Sequence, residues 1–452
     1  MKKGICLFGV TLLLSSCGIY TNYHKADEVP EGLYGEEVVS TSEYNIASMS
    51  WRELFIDPTL QALIEEGLQN NADMQTARLR VEEAEAALLS AKLAYLPSFA
   101  LAPQGTIAKM DGVTAKSYNL PLTASWQVDI FGGIRNAKKQ AKAVYEQTKD
   151  YEQAVQSQLI AGIANTYYTL QMLDAQLAIS ETTEKSWGES VRSTRALMNA
   201  GLANEVAVAQ MEAAHYGVKS SVLSLKEQIN QVENAMSLLL AKTPQSIERG
   251  KKILFTAPQV LVVGIPVQML DNRPDVRSAE RALEAAFYGT NAARAAFYPN
   301  ITLSGSAGWT NSAGGAILDA GEFLVSALGS LTQPLFAQGK LQAQYKIAKA
   351  RQEEAELAFR KALLNAGAEV NEAMVACQTS REKAELYNKQ VVSLETAYRS
   401  TSLLMEHGNT TYLEVLTAQQ SYLNAQLQQV ANQFAEIQSV ISLYQALGGG
   451  QN

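Results

Sequence analysis

Residues 91–102 read AKLAYLPSFALA and residues 293–304 read ARAAFYPNITLS. Each phrase is rich in small residues and carries one cation, an aromatic, a proline and then alternating apolar positions. Pro97 and Pro299 disfavour helix at the residue before them. Each phrase therefore reads as the end of a helix followed by the start of a strand. Two further echoes lie downstream. DIFGGIRNA (129–137) answers PLFAQGKLQA (334–343), and NAGLANEVAV (199–208) answers EHGNTTYLEV (406–415). A repeat this long is a duplicated half rather than a solenoid unit.

Proline is absent between Pro121 and Pro244 and after Pro334. Proline interrupts helices, so these two gaps have room for long ones. The leading helix of the first half is expected over Ile134–Ala200, with Gly201 turning the chain into a second helix. Gly408 occupies the corresponding turn in the second half. After each glycine the apolar residues recur at alternating steps of three and four. One seam runs from Val208 and Met211 through His215 and Val218 to Leu239. The other runs from Leu413 and Leu416 through Gln420 and Leu423 to Tyr444. That period gives left-handed coiled-coil packing. His215 reads as a seam histidine satisfied by its neighbours.

The segments after the two prolines alternate. In 118–130, Tyr118, Leu120, Leu122, Ala124, Trp126, Val128 and Ile130 share one face. Asn119, Thr123, Ser125, Gln127 and Asp129 share the other. In 300–310, Ile301, Leu303, Ala307 and Trp309 oppose Asn300, Thr302, Ser304, Ser306 and Thr310. This is the lipid-out, water-in pattern of a membrane barrel strand. Weaker strands fit 98–107 and 323–336, with turns at Asp111-Gly112 and Gly314-Gly315.

The N-terminus reads as a lipoprotein signal. Lys2 and Lys3 precede an apolar run from Ile5 to Leu14, then LSSC ends at Cys17. Cys17 is the expected lipidation site, carrying palmitate-type acyl chains that hold the mature chain on a membrane. Cys377 alone remains as a thiol, read as buried and structural. No other apolar run reaches the length of a membrane helix, so any crossing must be a closed barrel. The net charge of −8 argues against nucleic acid as a partner. Only three histidines occur, at 24, 215 and 407, with no metal-ligand spacing, nucleophile motif or phosphate loop. The chain is thus not read as an enzyme, and no cofactor, catalytic residue or metal site is expected.

The expected fold is mainly α with a membrane β-barrel contributed by four strands per protomer. The expected divisions are a signal (1–16), an N-terminal equatorial segment (17–57), the first repeat (58–242), a linker (243–273), the second repeat (274–447) and a tail (448–452). Four strands cannot close a barrel, and open edges in lipid leave backbone groups unpaired. Two copies would give eight strands and a barrel filled by side chains. Three give twelve and a wet bore, which the polar faces favour. A homotrimer is expected.

With these features in place, the chain resembles the TolC-type outer-membrane efflux channels, in particular their lipoprotein branch. The resemblance spans essentially the whole mature chain. Its most specific stretch is GIPVQMLDNRPDVRSAERAL (264–283), around Arg273-Pro274-Asp275-Val276-Arg277. From the residues alone, Pro274 suits a first helical turn and Asp275 its positive end. The resemblance implies a trimer with a β-barrel in the outer membrane and a helical tunnel projecting into the periplasm. It implies two partners, a periplasmic adaptor protein and an inner-membrane transporter of the resistance-nodulation-division type. It places adaptor contact at Ala200, Gly201, Leu202, His407, Gly408 and Asn409, and an acidic gate at Glu414. Family gate positions are occupied by Met405, Thr410 and Thr417 here, so that latch is altered. The expected function is a passive exit duct for drugs or other toxic small molecules. A duct for secreted proteins and a non-channel periplasmic coiled-coil lipoprotein are the alternatives.

Overall fold

The computed structural model describes residues 20, 22–24, 46, 49–250, 255, 272–311, 322–407 and 410–451. Cys17 and the signal, the Gly314-Gly315 turn, Gly408, Asn409 and most of the 243–273 linker lie outside them. The chain divides into two compact units.

One unit comprises Met1–Glu28, Leu79–Asp150 and Arg277–Ala362 and holds the sheet. The strands are β1 (Ser98–Leu101), β2 (Gln104–Met110), β3 (Val113–Val128), β4 (Asn300–Thr310) and β5 (Glu322–Thr332). All pairings are antiparallel: β1 and β2 both lie along β3, β3 pairs β4, and β4 pairs β5. The register on β3 runs without slip from Ser98↔Ser125 in β1 to Met110↔Val113 in β2. The two segments are therefore one strand, interrupted at Ala102-Pro103. Pro121, opposite Ala102, supplies the cause. Its carbonyl accepts from Ala102 N at 3.1 Å, but its ring nitrogen has no hydrogen to return. On the other side of Pro121 stands Gly308, where a Cβ would lie 2.1 Å from Leu120 O and 2.6 Å from Pro121 Cα. Only glycine fits there. Asp111 (φ 50°) and Gly112 (φ 83°) make the tight hairpin turn between β2 and β3, since that turn needs positive φ at both central residues.

The other unit comprises Val29–Arg78, Tyr151–Val276 and Leu363–Asn452. It is helical. In chain order the helices are α1 (Trp51–Leu54), α2 (Pro58–Asn70), α3 (Ala72–Leu93), α4 (Gly133–Asn199), α5 (Glu205–Leu239), α6 (Pro274–Ala295), α7 (Lys340–Glu406) and α8 (Tyr412–Ala446). α3, α4, α6 and α7 contribute residues to both units. Asp57 caps α2 by accepting from Thr59 N at 2.9 Å, with Pro58 at the first helical position. The core of this unit surrounds the middle of α4. Ile160, Ile163, Tyr167, Tyr168 and Leu170 are fully buried there, with Leu60 and Ile64 of α2. Gly67 lets the two helices approach: a Cβ on it would sit 2.3 Å from Ile163 Cδ1.

The α5 seam is as read, with Val208, Met211, Val218, Val222 and Met236 buried. His215 Nε2 lies 3.0 Å from Glu184 Oε1, and its ring packs over Gly188. The α8 seam holds from Leu423 onward. Near its start Leu413 and Gln420 are exposed instead. The matching start of α5 differs, since Val208 and Met211 are buried there. Cys377 is fully buried. Burial pushes its thiol pKa up, while the Ser439 hydrogen bond opposes that.

Candidate functional site

The opening phrases do what their prolines predict, and they do it twice. α3 ends at Leu93 and is closed by Leu96 N donating to Leu93 O at 2.8 Å. α6 ends at Ala295 and is closed by Tyr298 N donating to Ala295 O at 3.1 Å. After each proline a strand starts, at Ser98 and at Asn300. The outgoing strand then caps the phrase with a side chain. Trp126 Nε1 donates to Tyr95 O at 2.9 Å, and Gln333 Nε2 donates to Phe297 O at 3.0 Å.

The register sorts the sheet into two faces, because directly paired residues point the same way. One face carries Phe99, Leu101 and Ile107; Leu120, Leu122, Ala124, Trp126 and Val128; Ile301, Leu303, Ala307 and Trp309; Phe323, Val325, Ala327 and Leu331. Its large side chains are exposed: Leu122 at 51%, Trp309 at 50%, Val325 at 67%. The other face carries Gln104, Thr106, Asn119, Thr123, Ser125, Gln127, Thr302, Ser304, Ser306, Ser326 and Ser330. Ser306 and Ser326 hydroxyls share a 2.7 Å hydrogen bond on it. Leu324 and Leu328 are large apolar exceptions on it, and Lys109 and Lys116, next to the β2–β3 turn, are the charged exceptions on the apolar face. On the apolar face Leu120 to Val128 is about nine residues, a band of about 27 Å before tilt, near the ~25 Å apolar height of an outer-membrane barrel. The strands read as weak in the sequence, 98–107 and 323–336, belong to the same two faces. Their observed extents are 98–110 and 322–332.

At the first helix turn, Gly201 adopts φ 77°. Gly201 N donates to Met198 O at 2.9 Å and Leu202 N donates to Leu197 O at 2.8 Å. These two bonds satisfy the last carbonyls of α4. Asn204 then caps α5, accepting from Ala207 N at 2.9 Å. Ala200 and Gly201 are exposed, and Leu202 is 77% exposed. An apolar side chain thus projects from the turn into solvent.

At the second turn, His407 is exposed and its N–H donates to Leu403 O at 3.2 Å. Glu414 stands exposed in the first turn of α8, where a negative charge is favoured. The Thr410 hydroxyl donates to its carboxylate. Thr417 is turned back on its own helix, donating to Leu413 O at 2.8 Å, and Met405 is half-buried on α7. Tyr412 OH donates to Gln210 Oε1 at 2.9 Å, linking α8 to α5.

Two arginines of the helical unit form anchors that the sequence did not announce. Arg273, 6% exposed, donates to Asp275 at 3.0 and 2.6 Å, to Glu369 Oε2 at 2.6 Å and to Ala446 O at 3.0 Å. It joins the start of α6, α7 and the end of α8. Burial works against its charge, but the bonds and charges of Asp275 and Glu369 prevail and its pKa is raised. Burial would raise the Asp275 carboxyl; the Arg273 bond and charge outweigh it, so its pKa is lowered. The Arg-Pro-Asp motif was visible, but its partners Glu369 and Ala446 were not. Arg249 holds Asp174 through two bonds, 2.6 and 2.9 Å, and Glu233 at 2.7 Å. A lone arginine in a linker carries no sequence signal for that. Beside Arg273, the tail is pinned: Ser157 Oγ donates to Gly449 O at 2.5 Å, and Gly450 N donates to Tyr444 OH at 2.8 Å. Gly449 lies against the Tyr444 ring, where a Cβ would be 2.4 Å from Cε2.

Among the described residues no helix is long and apolar enough to cross a membrane, and no group of three or more His, Cys, Asp or Glu could hold a metal ion. The profile of the outer membrane efflux protein family matches residues 63–242 and 265–449. The cation efflux system protein CusC of Escherichia coli O6:H1 is 29% identical over 98% of both chains. The antibiotic efflux pump outer membrane protein ArpC of Pseudomonas putida is 28% identical, over 100% of this chain and 96% of its own. A crystal structure of CusC superimposes with a TM-score of 0.85 at 28% identity, over 96% of this chain and 100% of the other. The chain belongs to the outer membrane efflux protein family.

Proposed function

We propose that three copies of this outer membrane efflux family member form one channel, the passive exit duct of a tripartite pump for toxic small molecules. The observation that carries this reading is the sheet. From Leu120 to Val128 and across β4 and β5 it has an apolar face, with Lys109 and Lys116 joining that face only towards the β2–β3 turn; the opposite face is polar, and among the described residues both edges are open. Such a sheet is stable in lipid only when the edges close on further copies. Three copies give twelve strands with the apolar faces towards lipid and the serines and threonines lining a wet bore.

The remaining assignments follow the same reading. Cys17 is lipid-anchored to the outer membrane. The helix turns, through Ala200, Gly201, Leu202, His407, Gly408 and Asn409, meet a periplasmic adaptor that joins the duct to an inner-membrane transporter of the resistance-nodulation-division type. Exposed Leu202 is the apolar contact such a docking surface needs. Glu414, brought close to its two copies by three-fold symmetry, makes an acidic ring that attracts cations and can narrow the entrance. Thr410, Thr417 and Met405 leave that entrance without charged latch partners at their positions.

The test is conductance in a planar bilayer with purified trimer. Discrete ohmic steps are expected, and Glu414→Gln is expected to reduce cation selectivity. Correctly folded trimers that pass no current would sink the channel reading. Restored compound resistance in an efflux-deficient strain would then rank cargo classes.

A further inference from the structure

The strand register of the chain also fixes how one copy meets the next. Three features set the equivalence of the two hairpins. Ser98↔Ser125 opens the first hairpin directly after Pro97, as Asn300↔Thr332 opens the second after Pro299. Trp126 caps Tyr95 O as Gln333 caps Phe297 O. Gly132 (φ 72°) precedes α4 and its carbonyl accepts from Asn136 N at 3.0 Å; Gly339 (φ 78°) precedes α7 and accepts from Ala343 N at 2.9 Å. The first two superimpose β1/β2 on β4, and all three superimpose β3 on β5, each with a constant offset. In that alignment Ser125 matches Thr332, Trp126 matches Gln333 and Gly132 matches Gly339.

Within the chain, β3 meets β4 with Val128↔Ile301, Ala124↔Gly305 and Leu120↔Trp309. Carrying that pairing through the alignment gives the contact between β5 of one copy and β1/β2 of the next. We infer that this contact has the register Leu335↔Phe99, Leu331↔Pro103, Gly329↔Gly105 and Ala327↔Ile107, with Thr332 directly opposite Ala102. This rests on the proposed trimeric duct.

Two independent properties of the edges agree with it. Ala102 N donates to Pro121 O, so even-numbered residues of β1/β2 turn their backbone groups inward, and odd-numbered ones turn theirs to the open edge. Asn311 N donates to Tyr118 O, which by the same alternation leaves the odd-numbered groups of β5 at its open edge. The inferred register pairs odd with odd and keeps the apolar faces continuous. It also covers the most exposed apolar residue of the junction. Leu335 is 94% exposed in one copy and Phe99 67%, whereas their intrachain counterparts, Val128 and Ile301, are half-buried. Pro103 turns its ring nitrogen to this interface, so one ladder hydrogen bond is missing there, as one is missing where Pro121 faces Ala102.

Cysteine pairs test the register in a Cys377→Ser background. Thr332→Cys is combined in turn with Ala100→Cys, Ala102→Cys and Gln104→Cys, and the full-length protein is oxidised in membranes with copper phenanthroline. Directly opposed positions lie within disulfide reach. Covalent trimers on non-reducing gels should form at least fivefold faster for Ala102→Cys than for either neighbour. Faster coupling at Ala100→Cys or Gln104→Cys overturns the register while leaving the trimer intact. So does the absence of coupling at Ala102→Cys in a protein whose native mass is that of a trimer. A monomeric native mass with no coupling in any pair instead overturns the trimeric duct itself. Leu335→Ser supplies a second reading. It should at least halve the fraction of trimer that survives SDS without changing the helical circular dichroism; an unchanged trimer fraction counts against the Leu335↔Phe99 contact.

Discussion

Helices α4 and α7 are the same element written twice, each 67 residues long. Their surroundings differ. From Leu159 to Leu173, α4 is covered almost all round. α7 buries one strip through Leu363, Ala366, Val370, Ala373 and Cys377 and exposes most of the rest. Leu357, Leu364, Val375 and Leu386 recur at whole-turn spacing, and all are half or more exposed. Segments without a counterpart packed on α7 account for the contrast. α2 packs on α4 through Gly67 and Ile163, the linker binds it through Arg249 and Asp174, and the tail through Ser157. Among the described residues nothing comparable covers the outer row of α7. The duplicated halves hold two equal helices; the segments packed on α4 make it the core of the helical unit, while the outer row of α7 stays exposed.

The contrast can be broken by substitution. Ile163→Ala should cost the protomer about 3 kcal/mol, from lost burial plus the cavity left beside Gly67. The denaturant midpoint of the helical signal would register it. If Leu386→Ala costs the protomer as much, the distinction between the two helices fails. Arg273→Ala should cost about 2–4 kcal/mol, because Asp275 and Glu369 lose their shared cation and Ala446 O its donor. That difference should depend on pH. Asp275 has its pKa lowered in the folded chain, so its share of stability is complete above the ordinary carboxyl value, about pH 4. It is lost as pH falls through the lower folded value. Urea titrations of both proteins at successive pH values should show the gap narrowing below about pH 4; a constant gap would refute the sign.

Smaller effects sharpen the comparison. Gly201→Ala places a side chain at positive φ and should cost about 1–2 kcal/mol, felt as faster proteolysis at the turn rather than global unfolding. Leu364→Ser with Leu386→Ser should change protomer stability by less than about 1 kcal/mol while lowering the trimer fraction on native gels. A stability loss without a change in trimer fraction would mean that the outer row serves the protomer after all.

Much of this arrangement was legible in the sequence, for reasons that particular residues show. Pro97 and Pro299 act locally, so the helix ends could be read directly. Asp111-Gly112 is a turn whatever surrounds it. The α4 bounds, Gly133–Asn199, fall within one residue of the expected Ile134–Ala200, with Gly201 making the turn as read. Long-range partners were another matter. The interruption between β1 and β2 depends on Pro121 lying across from Ala102, a pairing no local pattern encodes. Leu413 and Gln420 kept the seam period, yet both are exposed, because periodicity records a face and not what covers it. Arg249 reaches residues 75 and 16 positions away, and such distances leave no periodic trace. For the first turn, the position was predictable from glycine chemistry, and Gly201 adopts the positive φ that the turn needs.

The pinned tail bears on the order in which the protein can be made. Ser157 waits for Gly449, 292 residues later, and Met49 O waits for the Tyr444 hydroxyl, 395 residues later. Contacts of such separation close late and slowly. Until the tail has been made, Ser157 Oγ and Met49 O lack these partners. A chain ending before Tyr444 is therefore expected to lose both ties, and faster limited proteolysis of the helical unit would register it.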